Sequence, residues 1–362
     1  MLGREIYFNF LYAPGFWLLL SAGMTYALIG MRTISGVYHH GVLPVVAFAI
    51  GWLIAEGSSD KQIRDGILAL AAGFGTYATL NMLVNIGNNR YRLIDFWTGT
   101  YRAATGSGAL NTLPISVAPY AVKFEKRLPV KIMFLALFFA TIQYMFTLGT
   151  RTQFAILLLI VILAALQFAY SEQGIAGVLK CIGIMAVISL IAFLLYHFNV
   201  LSIREYILNT NLAARYERRA SLENADSFRF QSFWIGLREL IQYPMGGRAS
   251  QIYRHNMWLD VGRVSGIIPF CLLLVYSIKN FANVTVIWKN TKILPSLRYL
   301  LLFLYIGAYV NCFVEPIWEG ALNFFLALCV VDGMVSAMMR RLENDPTPEE
   351  SVSDTSNLHT DL

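Results

Sequence analysis

Arginine is the residue whose placement first points to chemistry. The chain has 362 residues, 28 of them lysine or arginine and 22 aspartate or glutamate. Its lysines are Lys61, Lys123, Lys126, Lys131, Lys180, Lys279, Lys289 and Lys292. Counted through the apolar runs between them, all fall on one side of a membrane. Arg32, Arg90, Arg92, Arg102, Arg151 and nine arginines between 197 and 263 fall on the other. A face with arginine and no lysine suits phosphate, because guanidinium is a planar fork that grips phosphate at two points and stays charged in any pocket. Lysine at the opposite interface can reach anionic lipid headgroups instead. For single arginines, pairing with Glu205, Glu217, Glu223 or Glu239, or a compositional accident, stays open; for the set, a large anionic ligand is expected. A second feature is His255, within Tyr253-Arg254-His255-Asn256-Met257-Trp258-Leu259-Asp260. Imidazole titrates near neutrality and can accept a proton there.

The elements that must position these groups follow from composition. The chain is 57% hydrophobic and 14% charged, whereas soluble domains carry about 25% charged residues. That composition argues against a DNA-binding protein or a cytosolic enzyme. The apolar residues fall in runs of roughly 17 to 23, and about 20 residues of helix cross a bilayer. The expected fold class is an all-α polytopic membrane protein. Ten spans are read, at 15–31, 41–57, 66–88, 109–124, 130–148, 153–170, 175–196, 262–279, 294–314 and 318–338. The fourth is short and contains Pro114 and Pro119, and losing it would put the termini on opposite sides. The first run lacks a cleavage site and reads as a retained anchor. Basic residues at the span ends put both termini in the cytoplasm. Cys181, Cys271, Cys312 and Cys329 lie inside apolar runs and imply no disulfide framework.

The expected organisation is spans one to seven over 1–196, an external loop at 197–262, spans eight to ten over 263–338 and a disordered tail at 339–362. Within the loop, Ile203–Ala220 reads as an interfacial amphipathic helix bearing Arg204, Arg215, Arg218 and Arg219. Ser227–Tyr243 spaces Phe230, Phe233, Trp234, Leu237 and Ile241 at helical intervals and stops at Pro244 and Gly246-Gly247.

In this order the pieces resemble the O-antigen polymerase and O-antigen ligase superfamily of bacterial surface polysaccharide assembly. They are Gly149-Thr150-Arg151-Thr152, an Arg-aromatic-Trp helix leading to Pro-x-Gly (Arg229, Trp234, Pro244, Gly246), and His255-Asn256 ahead of Leu259. Gly266 and a late Glu315-Pro316 complete the set, and Gly106–Leu113 with Asn111 resembles the stretch before the family's middle spans. The match covers mainly 90–330. Two positions depart from it. Many members carry an acid where Val264 stands, and the glycine motif here is Gly-Gly rather than Gly-x-Gly.

The resemblance implies a GT-C-like fold in the bacterial inner membrane. It implies glycan transfer from undecaprenyl pyrophosphate to an acceptor hydroxyl at the periplasmic face. Carried over to these positions, it makes His255 the general base, with Arg151 and Arg229 at the departing pyrophosphate. Arg254, Arg215, Arg218, Arg219, Asn256, Glu315 and Trp234 are the further substrate contacts. Asp260 and Asn256 are candidates to orient His255, although five residues from His255 to Asp260 is a poor helical spacing. Glu319 and Asp95 are external acids able to pair with arginine or hold sugar hydroxyls. No Asp-x-Asp pair or His/Cys cluster faces outward, so transfer without metal or other cofactor is expected. The expected partners are the lipid-linked donor and acceptor, membrane lipid and a chain-length regulator, with no nucleic acid. A polymerase is favoured over a ligase by modest size and a single long loop. A transporter or flippase is disfavoured, because the spans show no paired broken halves and few mid-span ionisable residues.

Overall fold

The computed structural model of the protein describes residues 9–85, 92–220 and 225–344, apart from the side chains at 92, 102–105, 107, 215, 218–220 and 225–229. The described residues form an all-α protein with one small hairpin. Eight of their helices are long and apolar enough to cross a membrane. α1 (Pro14–Thr25) runs on into a π-helical turn, Tyr26–Met31, and α2 (Leu43–Glu56) follows a second one, Val37–Val42. α3 spans Asp60–Val84 and starts at a capping box in which the Ser59 and Gln62 side chains bond each other's backbone amides. Strands β1 (Arg92–Ile94) and β2 (Tyr101–Ala103) pair antiparallel. α4 (Ala104–Leu110), α5 (Thr112–Phe124), α6 (Leu128–Leu148) and α7 (Arg151–His197) come next. Beyond them lie α8 (Ile203–Leu208), α9 (Asn211–Ala220), α10 (Ala225–Gln242) and α11 (Met257–Ser265). The last elements are α12 (Ile267–Lys289), α13 (Pro295–Val314), the short α14 (Ile317–Gly320) and α15 (Leu322–Glu343).

Contacts sort the helix ends into two groups. At one end Arg127 reaches Asp65, Arg341 reaches Asp60, and Arg340 donates to the Asn9 carbonyl. At the other, Asn211 donates to the Thr147 carbonyl, Thr152 meets Glu315, and His40 stacks on Trp318. The first end holds Lys61, Lys123, Lys126 and Lys131; the second holds Arg151, Arg254 and Arg263. These are called the lysine-rich and arginine-rich ends below. Asn9 and Arg340 share the lysine-rich end.

Two of the helices expected to be spans differ from a plain apolar helix. α5 has only 13 residues and Pro119 inside it, yet its two ends meet opposite groups. Thr112, at its start, accepts from Asn311, and beyond its other end Glu125 pairs with Arg127. Protein rather than lipid surrounds it, since Thr112 to Ala118 are all buried, and neighbours can satisfy carbonyls that proline frees. α7 runs 47 residues but breaks at Gly174, where φ is 60° and ψ −144°, a region open to glycine almost alone. Lys123 pairs with Glu172 just before the break, so the chain turns back at the lysine-rich end.

The loop departs from expectation in detail. Ile203–Ala220 is two helices, α8 and α9, because Thr210 turns back to bond Ile207 and ends the first. The eighth span begins later than residue 262: the buried helix α11 comes first, and only past Gly266 does α12 enter an apolar run. The tail beyond 344, Arg90 and Glu223 lie outside the described residues.

Candidate active site

The site begins with backbone. After α10, Pro244 and Gly246 turn the chain so that it lies against the far end of α11. The Ile267 amide donates to the Pro244 carbonyl at 2.9 Å, and the Gly247 amide to the Val264 carbonyl at 2.9 Å. Gly246 (φ +74°) and Gly266 (φ +93°) both sit in the left-handed region. A Cβ on Gly266 would come within 2.1 Å of the Pro244 oxygen. Pro244, Gly246 and Gly266, scattered in sequence, are thus one docking point.

That turn presents the His255 segment. His255 has φ +54°, a conformation that costs a non-glycine residue about 1–2 kcal/mol. Asp260 holds it there. Its Oδ1 accepts the Arg254 amide at 2.7 Å and its Oδ2 the Asn256 amide at 3.3 Å, one on each side of His255. Asp260 is therefore an orienting residue after all, acting on backbone rather than on the ring, so helical spacing does not apply to it. Burial pushes its carboxyl up, against the opposing pull of the Arg254 amide and the Arg263 guanidinium. Asn256 is the N-cap of α11: its Oδ1 accepts the Leu259 amide at 3.1 Å, and its Nδ2 donates to the Phe313 carbonyl at 3.1 Å.

The His255 ring is 30% exposed, and its Nδ1 lies 3.8 Å from Oε2 of buried Glu315. That is outside hydrogen-bond range, and Nδ1 is buried with no hydrogen-bond partner. Oε1 of Glu315 accepts from the Thr152 hydroxyl at 2.5 Å. Thr152 follows Arg151, the first residue of α7, whose guanidinium carbon stands 5.9 Å from the Tyr216 ring of α9. Thr152, Glu315 and His255 thus converge from α7, the end of α13 and the segment before α11, with Arg151 next to Thr152 at the start of α7.

Other arginines are committed to the fold. Arg254 directs Nε and Nη2 at the two Glu239 oxygens, at 2.9 and 2.7 Å, in a buried pair. The expected pyrophosphate contact at Arg254 conflicts with that geometry, because a carboxylate already occupies its fork. Arg263 is a hub. Nη1 donates to the carbonyls of Arg248, Ala249 and Gln251 at 2.8–3.0 Å, and Nη2 grips both Glu319 oxygens at 2.9 and 3.0 Å. Glu319 lines a recess of about 240 Å³ with Gly106 and Asn323. Burial raises its carboxyl to about 7, although Arg263 pulls the other way. Glu319 thus pairs with arginine, as its position in the sequence allowed. Asp95 is not open to sugar: it closes the β-hairpin, accepting the Trp97 and Thr98 amides at 3.0 Å each and the Tyr77 hydroxyl.

Trp234 is 55% exposed on α10, edge-on to Phe230 and Phe233. The side chains of Arg229, Arg215, Arg218 and Arg219 lie outside the described residues; the last three belong to α9, the helix that brings Tyr216 to Arg151. Beside Asn256 opens an apolar cavity of about 420 Å³ between α10, α12 and α13, lined by Phe233, Leu237, Phe270, Leu274, Phe281 and Phe313. Periodicity gave α10 its apolar stripe but not what the stripe faces. Sequence reading also missed Asp332. It is buried mid-way along α15, accepting Tyr276 and Tyr305 hydroxyls at 2.6 and 2.5 Å, so mid-span positions do hold an ionisable group.

No family model matches the chain, and no curated protein matches it.

Proposed function

We propose that the protein is an O-antigen polymerase, a GT-C-like membrane glycosyltransferase that joins undecaprenyl-pyrophosphate-linked oligosaccharide units at the periplasmic face of the bacterial inner membrane. The observation that carries this reading is the convergence of His255, Glu315 and the Arg151–Thr152 helix start beside an apolar cavity. A lipid-linked pyrophosphate has the matching parts: a chain for the cavity, a headgroup anion for arginine and a sugar carbon for attack. The topology used is ten crossings, made of the eight long helices with both arms of α7 counted, plus α5. The arginine-rich end faces the periplasm and both termini the cytoplasm, in keeping with the basic residues at the short loops.

In the proposed step the acceptor hydroxyl oxygen attacks the anomeric carbon of the donor. The bond from that carbon to the phosphate oxygen breaks, and its electron pair leaves with the pyrophosphate. The hydroxyl proton passes to His255. With Nδ1–H turned to Glu315, the other ring nitrogen is the acceptor, and the Glu315 carboxylate then offsets the imidazolium charge. Arg151, with Arg229 and the arginines of α9, offsets the charge growing on the leaving group. Arg254 and Asn256 act as positioning residues through Glu239 and the α11 cap.

The test uses purified protein and a lipid-linked repeat unit. His255→Ala and Arg151→Ala are each expected to lower transfer at least a hundredfold while the lipid donor still binds His255→Ala. Normal transfer by both would overturn the mechanism. In cells, deletion leaving surface glycan with single-repeat caps supports the polymerase, whereas loss of every cap makes it a ligase. Accumulated donor lipid on the cytoplasmic face would instead mark a flippase.

A further inference from the structure

Far from His255, the lysine-rich end carries a second built feature that the transfer chemistry does not use. Two adjoining recesses, of about 550 and 250 Å³, lie between the ends of α1, α2, α12 and α15 and share Trp52, Arg340 and Asn344. Arg341 and Glu56 line the larger one, Lys279 and Glu343 the smaller.

The donors point to an anion. Trp52 is 2% exposed, and its indole N–H is buried with no hydrogen-bond acceptor. A buried donor left unmet costs about 1–3 kcal/mol, and tryptophan near a membrane interface usually finds a partner for it. Arg340 stands beside that ring, its guanidinium carbon 6.0 Å from the Trp52 centroid and 5.4 Å from Tyr12. One of its nitrogens, Nη1, donates to the Asn9 carbonyl at 3.0 Å. Arg341 is held by Asp60 and the Ser58 carbonyl and adds its charge from the wall.

The rim is mixed rather than purely basic. Glu56, bonded by the Asn9 side-chain amide, lines the larger recess together with the arginines, and Glu343 lines the smaller. A bare phosphate would meet those carboxylates unfavourably. A headgroup that joins a phosphodiester to a primary ammonium matches both signs. The position also fits, because the recess opens where apolar helices end and lipid headgroups begin.

We propose that this paired recess binds the headgroup of a phosphoethanolamine lipid, with its phosphodiester on Arg340 and the Trp52 indole N–H and its ammonium toward Glu56. The site is independent of the transfer reaction and stands or falls without it.

Native mass spectrometry of the full-length protein, released from nanodiscs holding equal phosphoethanolamine and phosphocholine lipid, tests it. Wild-type protein is expected to retain one phosphoethanolamine lipid in at least fivefold preference. Trp52→Phe, which removes the indole N–H together with the five-membered ring, is expected to cut that retention severalfold in a protein that still folds, with its melting temperature lowered by the lost packing. Arg340→Gln should cut retention likewise, and if it fails to fold, Trp52→Phe alone decides. Equal retention of both lipids, or unchanged retention in Trp52→Phe, overturns the proposal. Displacement of the lipid by millimolar inorganic phosphate would also overturn it, since the site would then serve a free anion.

Discussion

The two ends of the bundle use the same ion-pairing residues to different effect. At the lysine-rich end each pair keeps at least one partner near solvent: Lys123 and Glu172 are 37% and 54% exposed, and Arg127 is 45% exposed beside buried Glu125. At the arginine-rich end Arg263 and Asp260 are 1% and 0% exposed, and Arg254 and Glu239 are nearly as enclosed. Exposed pairs contribute about 0–1 kcal/mol, whereas removing one partner of a buried pair costs about 3–5 kcal/mol. The buried pairs also span the chain, tying α10 to the His255 segment and that segment to α14. One end fastens neighbouring helices; the other fixes the posture of a single residue.

The comparison breaks first at Glu239. Glu239→Ala leaves Arg254 buried opposite nothing, and we expect unfolding free energy in detergent to fall by about 3–5 kcal/mol. Glu172→Gln at the other end should change it by less than about 1 kcal/mol. Similar losses from the two substitutions would mean that burial does not separate the ends.

A pH scan sharpens the same contrast. Burial lifts Glu319 from its ordinary 4.5 to about 7, so the folded state holds that proton more tightly than the unfolded state. Its stabilising contribution is complete below pH 4.5 and is lost as pH rises to about 7. The loss is on the order of 3 kcal/mol. At the lysine-rich end Arg127 holds Glu125 down at about 2, so that carboxyl stays ionised across the whole window. Thermal melts of wild type and Glu319→Gln should therefore converge at low pH and diverge between 4.5 and 7, with the variant the flatter. Parallel curves would show that Glu319 holds its proton no more tightly in the folded state than in the unfolded one.

Asp260 tests whether posture matters apart from stability. In Asp260→Asn one oxygen remains to accept an amide, and the charge facing Arg263 is gone. An expected stability loss of about 1–3 kcal/mol should accompany a fall in kcat with little change in KM for donor. A fall in both alike would tie Asp260 to substrate binding instead.

How much of this was legible in the sequence differs between the ends for the same reason. Hydropathy marks helices because each carries its own apolar run, and even α5 could be found despite its two prolines. The turn at Gly174 fell between two expected spans. The pieces that resemble the superfamily were visible one by one, yet that Pro244, Gly246 and Gly266 meet is a fact of backbone approach with no sequence period. Arg254 read as a phosphate ligand with pairing to Glu239 left open, and nothing in the sequence shows that the turn after α10 brings the two together across 15 residues. Asp260 was judged by helical spacing, although His255 precedes the helix. Asp332 hid inside an apolar run, where hydropathy averages one carboxyl away.

The smallest effect has the opposite sign and separates function from fold most directly. His255 sits at φ +54°, where a side chain is strained and glycine is not. Were the ring a structural contact, removing it would destabilise the protein. If instead the flanking amides hold it in place for chemistry, His255→Gly relieves strain and loses little packing, since the ring is 30% exposed. We expect His255→Gly to gain about 0.5–1 kcal/mol of stability and lose glycan transfer. His255→Ala should lose transfer without the gain, because alanine keeps the strain. Strain maintained at a residue whose removal stabilises the protein is a mark of selection for activity. Should His255→Gly melt below wild type, the ring belongs to the scaffold, and the arginine-rich end becomes a second fastening rather than a site.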